Sequence, residues 1–221
     1  MRYNASNFIR QFVTILSLNK TRNLMGAVRL FLFWGGSHVL HPFFFLGAFT
    51  MKKHTRYLVR GAIIAALYAV LTHLQNILLP GSATWAIQMR MSEALCVLAF
   101  FTPCAAFGLA VGCLIFNITF AAALPLDFLV GTLATYLAGK VMWLTRNVTV
   151  KGYPLLGMLM PALFNALLVG WELAAYIGGG FWMNAVYVAI GETAVLLVPG
   201  TLLYYTMKKR HLETKLFDAN L

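Results

Sequence analysis

The chain has 221 residues, of which 61% are hydrophobic, 14% aromatic and only 10% charged, and its mean hydropathy is +0.78. A soluble domain carries about 25% charged residues, so this chain has too few polar groups to cover a water-exposed surface. The composition excludes a soluble enzyme, a disordered chain and a free nucleic-acid-binding protein. It predicts an all-α integral membrane protein.

Six apolar segments follow one another from residue 51 onwards, and each is a candidate transmembrane helix. A membrane core needs about 20 helical residues per crossing, so the second and third segments are short, with Pro103 marking the bend between them. The segments are Leu58–Leu79, Ser92–Ala105, Ala106–Ala123, Leu126–Leu144, Pro154–Tyr176 and Phe181–Met207. We expect a compact six-helix transmembrane domain over residues 51–210, followed by a polar tail over residues 211–221.

The basic residues predict how this domain is oriented. Four lie between residues 52 and 60, before the first segment, and four between residues 208 and 215, after the last. The connections on the other side of the membrane contain only Arg90. The positive-inside rule therefore places both termini in the cytoplasm.

Residues 1–50 do not fit this topology. Residues 30–50 are long and apolar enough to span, but basic clusters flank them on both sides, and a seventh crossing would force one cluster outside. No small-residue cleavage site follows, so a signal peptide does not fit either. We expect an interfacial or re-entrant segment, or an upstream extension that the native protein does not translate, with Met51 as its start.

Four of the six acidic residues lie within or beside apolar segments, where ionised groups are costly and usually functional. With a rise of 1.5 Å per residue, they and two asparagines are expected in the outer half of the membrane. Each has a structural alternative: an N-cap for the aspartate, an i,i+3 pair with Arg90 for the first glutamate, and interhelical hydrogen bonds for the asparagines. The six residues are Glu93, Asn117, Asp127, Asn165, Glu172 and Glu192.

The structural alternatives are weakest for Glu172 and Glu192, which have no cation at that depth on their own helices. Asn165 and Glu172 are seven residues apart and so share a helix face. Four acids with only Arg90 as countercharge need a further partner, and a polar or cationic ligand entering from outside would serve. Trp171 is the candidate for stacking on a flat ligand.

Several common types of site are missing from the sequence. The three cysteines have no CxxC spacing and the histidines form no HExxH motif, so we interpret the cysteines as packing residues and expect no metal site. No nucleophile–base pair accompanies His73, which argues against an intramembrane enzyme. No GxxxxGK[ST] motif is present, so the chain cannot bind ATP through a P-loop.

The residues also resemble a known family. The strings IQMRMSEAL (87–95), GLAVGCLIFN (108–117), GTLAT (131–135), FNALLVG (164–170) and AIGE (189–192) are similar, as an ordered set, to the QueT family of queuosine-precursor transporters. The resemblance covers residues 52–207 and not residues 1–50.

The resemblance implies a bacterial plasma-membrane protein, the substrate-binding S component of an energy-coupling factor transporter. Such a component binds its substrate within a six-helix transmembrane domain. Uptake is driven by a transmembrane coupling subunit and two ATPase subunits that use ATP. The chain itself would need no cofactor. The small residues of the first helix resemble the surface that docks on the coupling subunit. They are Ala62, Ala65, Ala66 and Ala69.

The implied substrate is a 7-deazaguanine such as preQ0 or preQ1. One carboxylate can accept both adjacent N–H groups of a guanine-like edge, and a second carboxylate would suit the aminomethyl cation of preQ1. Two other interpretations stay open: an S component for a different vitamin, and a proton-coupled secondary transporter in which Glu172 or Glu192 carries the proton.

Deleting residues 1–50 should leave membrane insertion and ligand binding intact, because the resemblance begins after Met51 and the basic flanks oppose a seventh crossing. Binding by the form that starts at Met51 measures this. A truncated chain that fails to fold would contradict the expectation.

Overall fold

The computed structural model describes residues 53–82, 87, 89–120 and 123–217. These residues are predominantly helical, with an isolated bridge between Val150 and Tyr153 as their only β structure, which confirms the all-α class. The α-helices are α1 (Lys53–Leu78), α2 (Cys104–Thr119), α3 (Asp127–Leu144), α4 (Leu155–Met158), α5 (Met160–Tyr176), α6 (Phe181–Val195), α7 (Thr201–Lys209) and α8 (Leu212–Leu216); a 3₁₀ helix covers Met91–Phe100 and a π-helical turn covers Leu196–Gly200. The expected extension over residues 1–50, including its interfacial or untranslated character, lies outside the described residues.

Three helical stretches among the described residues are long and apolar enough to cross a membrane. They are Lys53–Leu78, Leu155–Tyr176 and Phe181–Lys209, which correspond to the first, fifth and sixth predicted segments. The bend expected at Pro103 is confirmed, because helical structure stops at Phe100 and resumes at Cys104. The count of six crossings and the cytoplasmic location of both termini stay predictions.

The second predicted segment differs most from expectation, because it forms a ten-residue 3₁₀ helix instead of an α-helix. At about 2.0 Å per residue it is roughly 20 Å long and does not reach across a hydrocarbon core of about 30 Å. Eight of its ten residues are buried, and it contacts α1, α2, α3, α6, α7 and the π-helical turn. The 3₁₀ helix is therefore the centre around which the longer helices pack.

The longer helices pack in sequence order, α1 on α2, α2 on α3, α3 on α5 and α5 on α6. Glycines make the closest of these contacts possible. A Cβ at Gly112 would lie 2.7 Å from the carbonyl oxygen of Ala65, and one at Gly139 would lie 2.8 Å from the Cα of Ala106. The backbones thus touch directly, as is typical of membrane helices with small residues at their interfaces.

The last long stretch is interrupted by the π-helical turn, which contains Pro199. Proline has no N–H and its ring clashes with the preceding turn, so the helix widens there. Beyond the stretch, the predicted polar tail contains α8, and the buried Phe217 side chain belongs to the central apolar cluster. The Cζ atom of Arg60 lies 5.9 Å from the centre of that ring, so the described part of the tail packs against α1.

Gly112→Ala should destabilise the protein by about 1–3 kcal/mol, because the added methyl group would overlap the backbone of α1 in a well-packed contact. Gly61→Ala is the matched control, since its Cβ would meet the nearest atom at an ordinary 3.7 Å and alanine favours a helix over glycine. Thermal or denaturant unfolding in detergent measures both variants. Equal destabilisation would contradict the close contact at Gly112.

Candidate functional site

The 3₁₀ helix places Glu93 inside the bundle, where its side chain is fully buried. The Tyr68 hydroxyl of α1 donates a hydrogen bond to its Oε1 atom, and the Cys96 thiol donates to Oε2 at 3.0 Å. Both carboxylate oxygens are thus bound by the protein itself. These hydrogen bonds fit a structural role for Glu93. Both Glu93 and Arg90 are buried, so they do not form the water-exposed pair that the spacing suggests.

Sequence reasoning missed a polar face of α1 that holds the N-terminal end of the 3₁₀ helix. Besides Tyr68, the Thr72 hydroxyl donates to the Ser92 hydroxyl at 2.7 Å, and the Gln75 side chain accepts from the backbone N–H of Met91 at 2.8 Å. Positions 68, 72 and 75 follow one helix face. That spacing of polar residues in an apolar helix was the signal that could have identified them.

Arg90 immediately precedes the 3₁₀ helix and extends its guanidinium group towards α2. Its side chain is 3% exposed, its Nη1 atom lies 4.0 Å from Cys113 Sγ, and its Cζ atom lies 5.9 Å from the Phe116 ring centre. The guanidinium attracts all four buried carboxylates electrostatically. Arg90 is therefore the positive centre of a buried cluster.

Asp127 enters the cluster at the start of α3. Its Oδ2 atom accepts a hydrogen bond from the Leu124 backbone N–H at 2.7 Å, so the carboxylate stabilises the preceding loop. Asp127 is the first residue of α3, and the N-cap position is occupied by Leu126. Asn117 on α2 donates to the backbone carbonyl of Asp127 at 2.7 Å. The Oδ1 atom of Asn117 is buried and has no hydrogen-bond partner among the described residues.

Glu172 on α5 and Glu192 on α6 differ from the other acids in their lack of partners. They are 0% and 1% exposed, and none of their four carboxylate oxygens makes a hydrogen bond of good geometry in the described part of the chain. The Asp127 carboxyl group lies close to Glu172, and the Asn165 amide lies close to Glu192. Glu172 is repelled by Asp127, and Glu192 by Glu93. Burying an ionised carboxylate without a hydrogen bond is unfavourable, so these groups require a proton or a partner.

The asparagine of α5 completes the cluster. Asn165 is buried on the same face of α5 as Glu172, as its spacing predicted, and its side chain lies beside Glu192. The structure thus brings together six of the seven sequence-predicted binding residues around Arg90. They are Glu93, Asn117, Asp127, Asn165, Glu172 and Glu192.

Trp171 is the predicted binding residue that the structure leaves outside the cluster. Its side chain is 53% exposed, whereas the adjacent Glu172 is fully buried. Consecutive residues of an α-helix point in directions about 100° apart, so the indole lies on the outer surface of the bundle. In this conformation it cannot stack on a molecule bound at the buried acids.

The small-residue stripe of α1 is divided between two faces. Ala65 and Ala69 are buried, and Ala65 is in contact with α2 at Gly112. Ala62 and Ala66 are exposed. A docking role for the stripe stays a prediction, and on this geometry it concerns Ala62 and Ala66.

Replacing the unpartnered acids should not weaken the ligand-free fold. Glu172→Gln and Glu192→Gln should unfold at the same or a higher temperature than the wild type, because each removes a buried charge that lacks a hydrogen bond. Glu93→Gln is the matched control and should lose about 1–3 kcal/mol, because Tyr68 and Cys96 would lose a charged acceptor. Thermal unfolding in detergent distinguishes these outcomes, and equal destabilisation by all three would assign a structural role to every acid.

Comparison with known proteins gives a family for the chain. The model of the QueT transporter family matches residues 58–209, a range that contains the whole buried cluster. No curated protein and no solved structure matched the chain. The family model covers more than half of the sequence, and the chain therefore belongs to the QueT transporter family, a family of membrane transporters and not of enzymes.

Proposed function

We propose that the chain is the substrate-binding S component of an energy-coupling factor transporter in a bacterial plasma membrane, and that it takes up a 7-deazaguanine queuosine precursor such as preQ0 or preQ1. The observation that supports this most directly is the pair of buried glutamates, Glu172 and Glu192, whose oxygens have no hydrogen-bond partner among the described residues. A ligand rich in N–H donors would supply those partners.

The chemistry of a guanine-like edge matches these acceptors. Its ring N–H and exocyclic amine present two adjacent donors, and a carboxylate can accept both as a bidentate pair. We assign this contact to Glu172. Asn117 offers a further acceptor, because its Oδ1 atom is buried and unpartnered in the described structure.

The charge of the cluster favours a cationic substituent on the ligand. Four carboxylates surround the single guanidinium of Arg90, so the ionised cluster carries three excess negative charges. The aminomethyl group of preQ1 would neutralise one of them, and Glu192 is the acid without hydrogen bonds that remains for this contact.

The energy for uptake would come from other subunits. The sequence has no P-loop motif, so ATP would be used by two partner ATPases acting through a transmembrane coupling subunit. Ala62 and Ala66 lie exposed on the long helix α1, and their small size would allow another helix to approach closely.

A proton-coupled secondary transporter is the second candidate, and the close approach of Asp127 and Glu172 favours it. Two buried carboxylates that repel each other can share a proton, as in many proton-coupled sites. Uptake by the purified chain in liposomes distinguishes the two candidates. Transport driven by a proton gradient, without ATPase subunits, would favour the proton-coupled mechanism over the proposed one.

Glu172→Gln should weaken binding of preQ1 at least about tenfold, because the amide retains one acceptor and turns a donor towards a ligand donor. Each charge-assisted hydrogen bond contributes about 1.5–3 kcal/mol, and about 1.4 kcal/mol corresponds to a factor of ten. Glu213→Gln, in α8, is the matched control. Calorimetric titration measures the Kd values; unchanged binding by Glu172→Gln would contradict the assignment.

Ala66→Leu should leave preQ1 binding by the isolated chain unchanged and abolish ATP-driven uptake by the assembled transporter. Leucine keeps the helix propensity of α1 but separates surfaces that must touch closely. Ala194→Leu, at an exposed position of α6, is the control and should retain uptake. Loss of binding and uptake together in Ala66→Leu would show that the residue supports the fold instead.

A further inference from the structure

A pocket with several polar side chains among an apolar lining lies on the surface where α1, α2 and α3 meet. Its volume is about 250 Å³, and none of the residues that line it is acidic. Two residues that can carry positive charge, His54 and Lys140, and two tyrosines, Tyr57 and Tyr136, supply its polar groups. The Tyr57 hydroxyl also donates to the Pro103 carbonyl at 3.4 Å, which orients that ring in the pocket.

An apolar groove of about 620 Å³ continues from this pocket between α2 and α3. Phe107 and Tyr136 line both the pocket and the groove, so the two cavities adjoin at these side chains. The groove extends from Phe107 to Leu114, seven residues or about 10 Å along α2. Thr132 is the only polar residue other than Tyr136 among those that line it.

The combined cavity is amphipathic in the way that a phospholipid is. A phosphate accepts hydrogen bonds from lysine, histidine and tyrosine, and an acyl chain matches a groove of leucine, valine and phenylalanine. Lys53 and Arg56, in the first turn of α1, are sequence neighbours of the pocket residues His54 and Tyr57, at the end of the bundle that the basic residues predict to be cytoplasmic. Anionic lipids are concentrated in that leaflet and attract basic residues.

We propose that this pocket and groove bind one anionic phospholipid, with its headgroup phosphate between His54 and Lys140 and an acyl chain between α2 and α3. The site is separate from the buried acid cluster, and its α1 residues lie on the same helix face as Gly61 and Ala65, one to two turns closer to the start of α1. A bound lipid would connect α1 to α3 at this end of the bundle, where both helices pack on α2.

Native mass spectrometry of the purified full chain tests the proposal with phosphatidylglycerol and phosphatidylcholine of identical acyl chains. The wild type should bind one phosphatidylglycerol at least about tenfold more tightly than phosphatidylcholine. The double variant His54→Gln, Lys140→Gln should lose this preference. Lys209→Gln removes an exposed lysine at the end of α7 and, as the matched control, should retain it.

The groove is tested by Val111→Trp, which should weaken binding of both lipids by filling the space for the acyl chain. Ile118→Trp, at a position on α2 that is 65% exposed and outside the groove, should bind as the wild type does. Equal affinity for the two lipids, or equal loss in Lys209→Gln, would overturn the proposal. Displacement of the lipid by glycerol 3-phosphate would also overturn it, because the pocket would then be a site for a small phosphate. Displacement of the lipid by a protein that cross-links at Val111 would overturn it too, because the groove would then be a protein-binding surface.

Discussion

The described part of the bundle buries four carboxylates around the guanidinium of Arg90 in an apolar environment. Each buried carboxylate needs a hydrogen-bond partner or a proton, and the rest of the structure depends on how this need is satisfied. Glu93 is satisfied by the protein through Tyr68 and Cys96. Asp127 is satisfied in part by the loop before α3. Glu172 and Glu192 have no hydrogen bonds within the described chain. The acids thus divide into two that the fold uses and two that it leaves for a proton or a ligand.

The 3₁₀ helix explains how this division arises. It is buried on nearly all sides and contacts helices from both ends of the chain, so Arg90 and Glu93 are fixed at the centre of the bundle. Thr72 and Gln75, on the polar face of α1, hold the first turn of the 3₁₀ helix by hydrogen bonds. By contrast, α5 and α6 pack tightly on each other through Gly170 and Ala185 and present their glutamates to the same interior. Rigid support on one side and unpartnered acceptors on the other is the arrangement expected of a binding site.

Much of this could be predicted from the sequence, because charge in an apolar chain is rare and informative. The helical class, the break at Pro103 and the shared face of Asn165 and Glu172 all followed from composition and period. The 3₁₀ geometry did not, since it is determined by packing around Met91–Phe100 and not by local propensity. The exposed position of Trp171 beside the buried Glu172 could not be predicted from adjacency in sequence, because consecutive residues of an α-helix point in different directions. Tyr68 was missed because α1 was analysed for its small residues alone.

In the proposed function, Glu172 and Glu192 receive a molecule rich in N–H donors. Mass spectrometry of small molecules extracted from the purified chain tests this most directly. We expect a 7-deazaguanine to co-purify with the wild type in near-stoichiometric amount and to be absent from a Glu172→Gln, Glu192→Gln double variant that remains folded. Recovery of a molecule without adjacent N–H donors, or equal recovery of the 7-deazaguanine from the folded double variant, would contradict it.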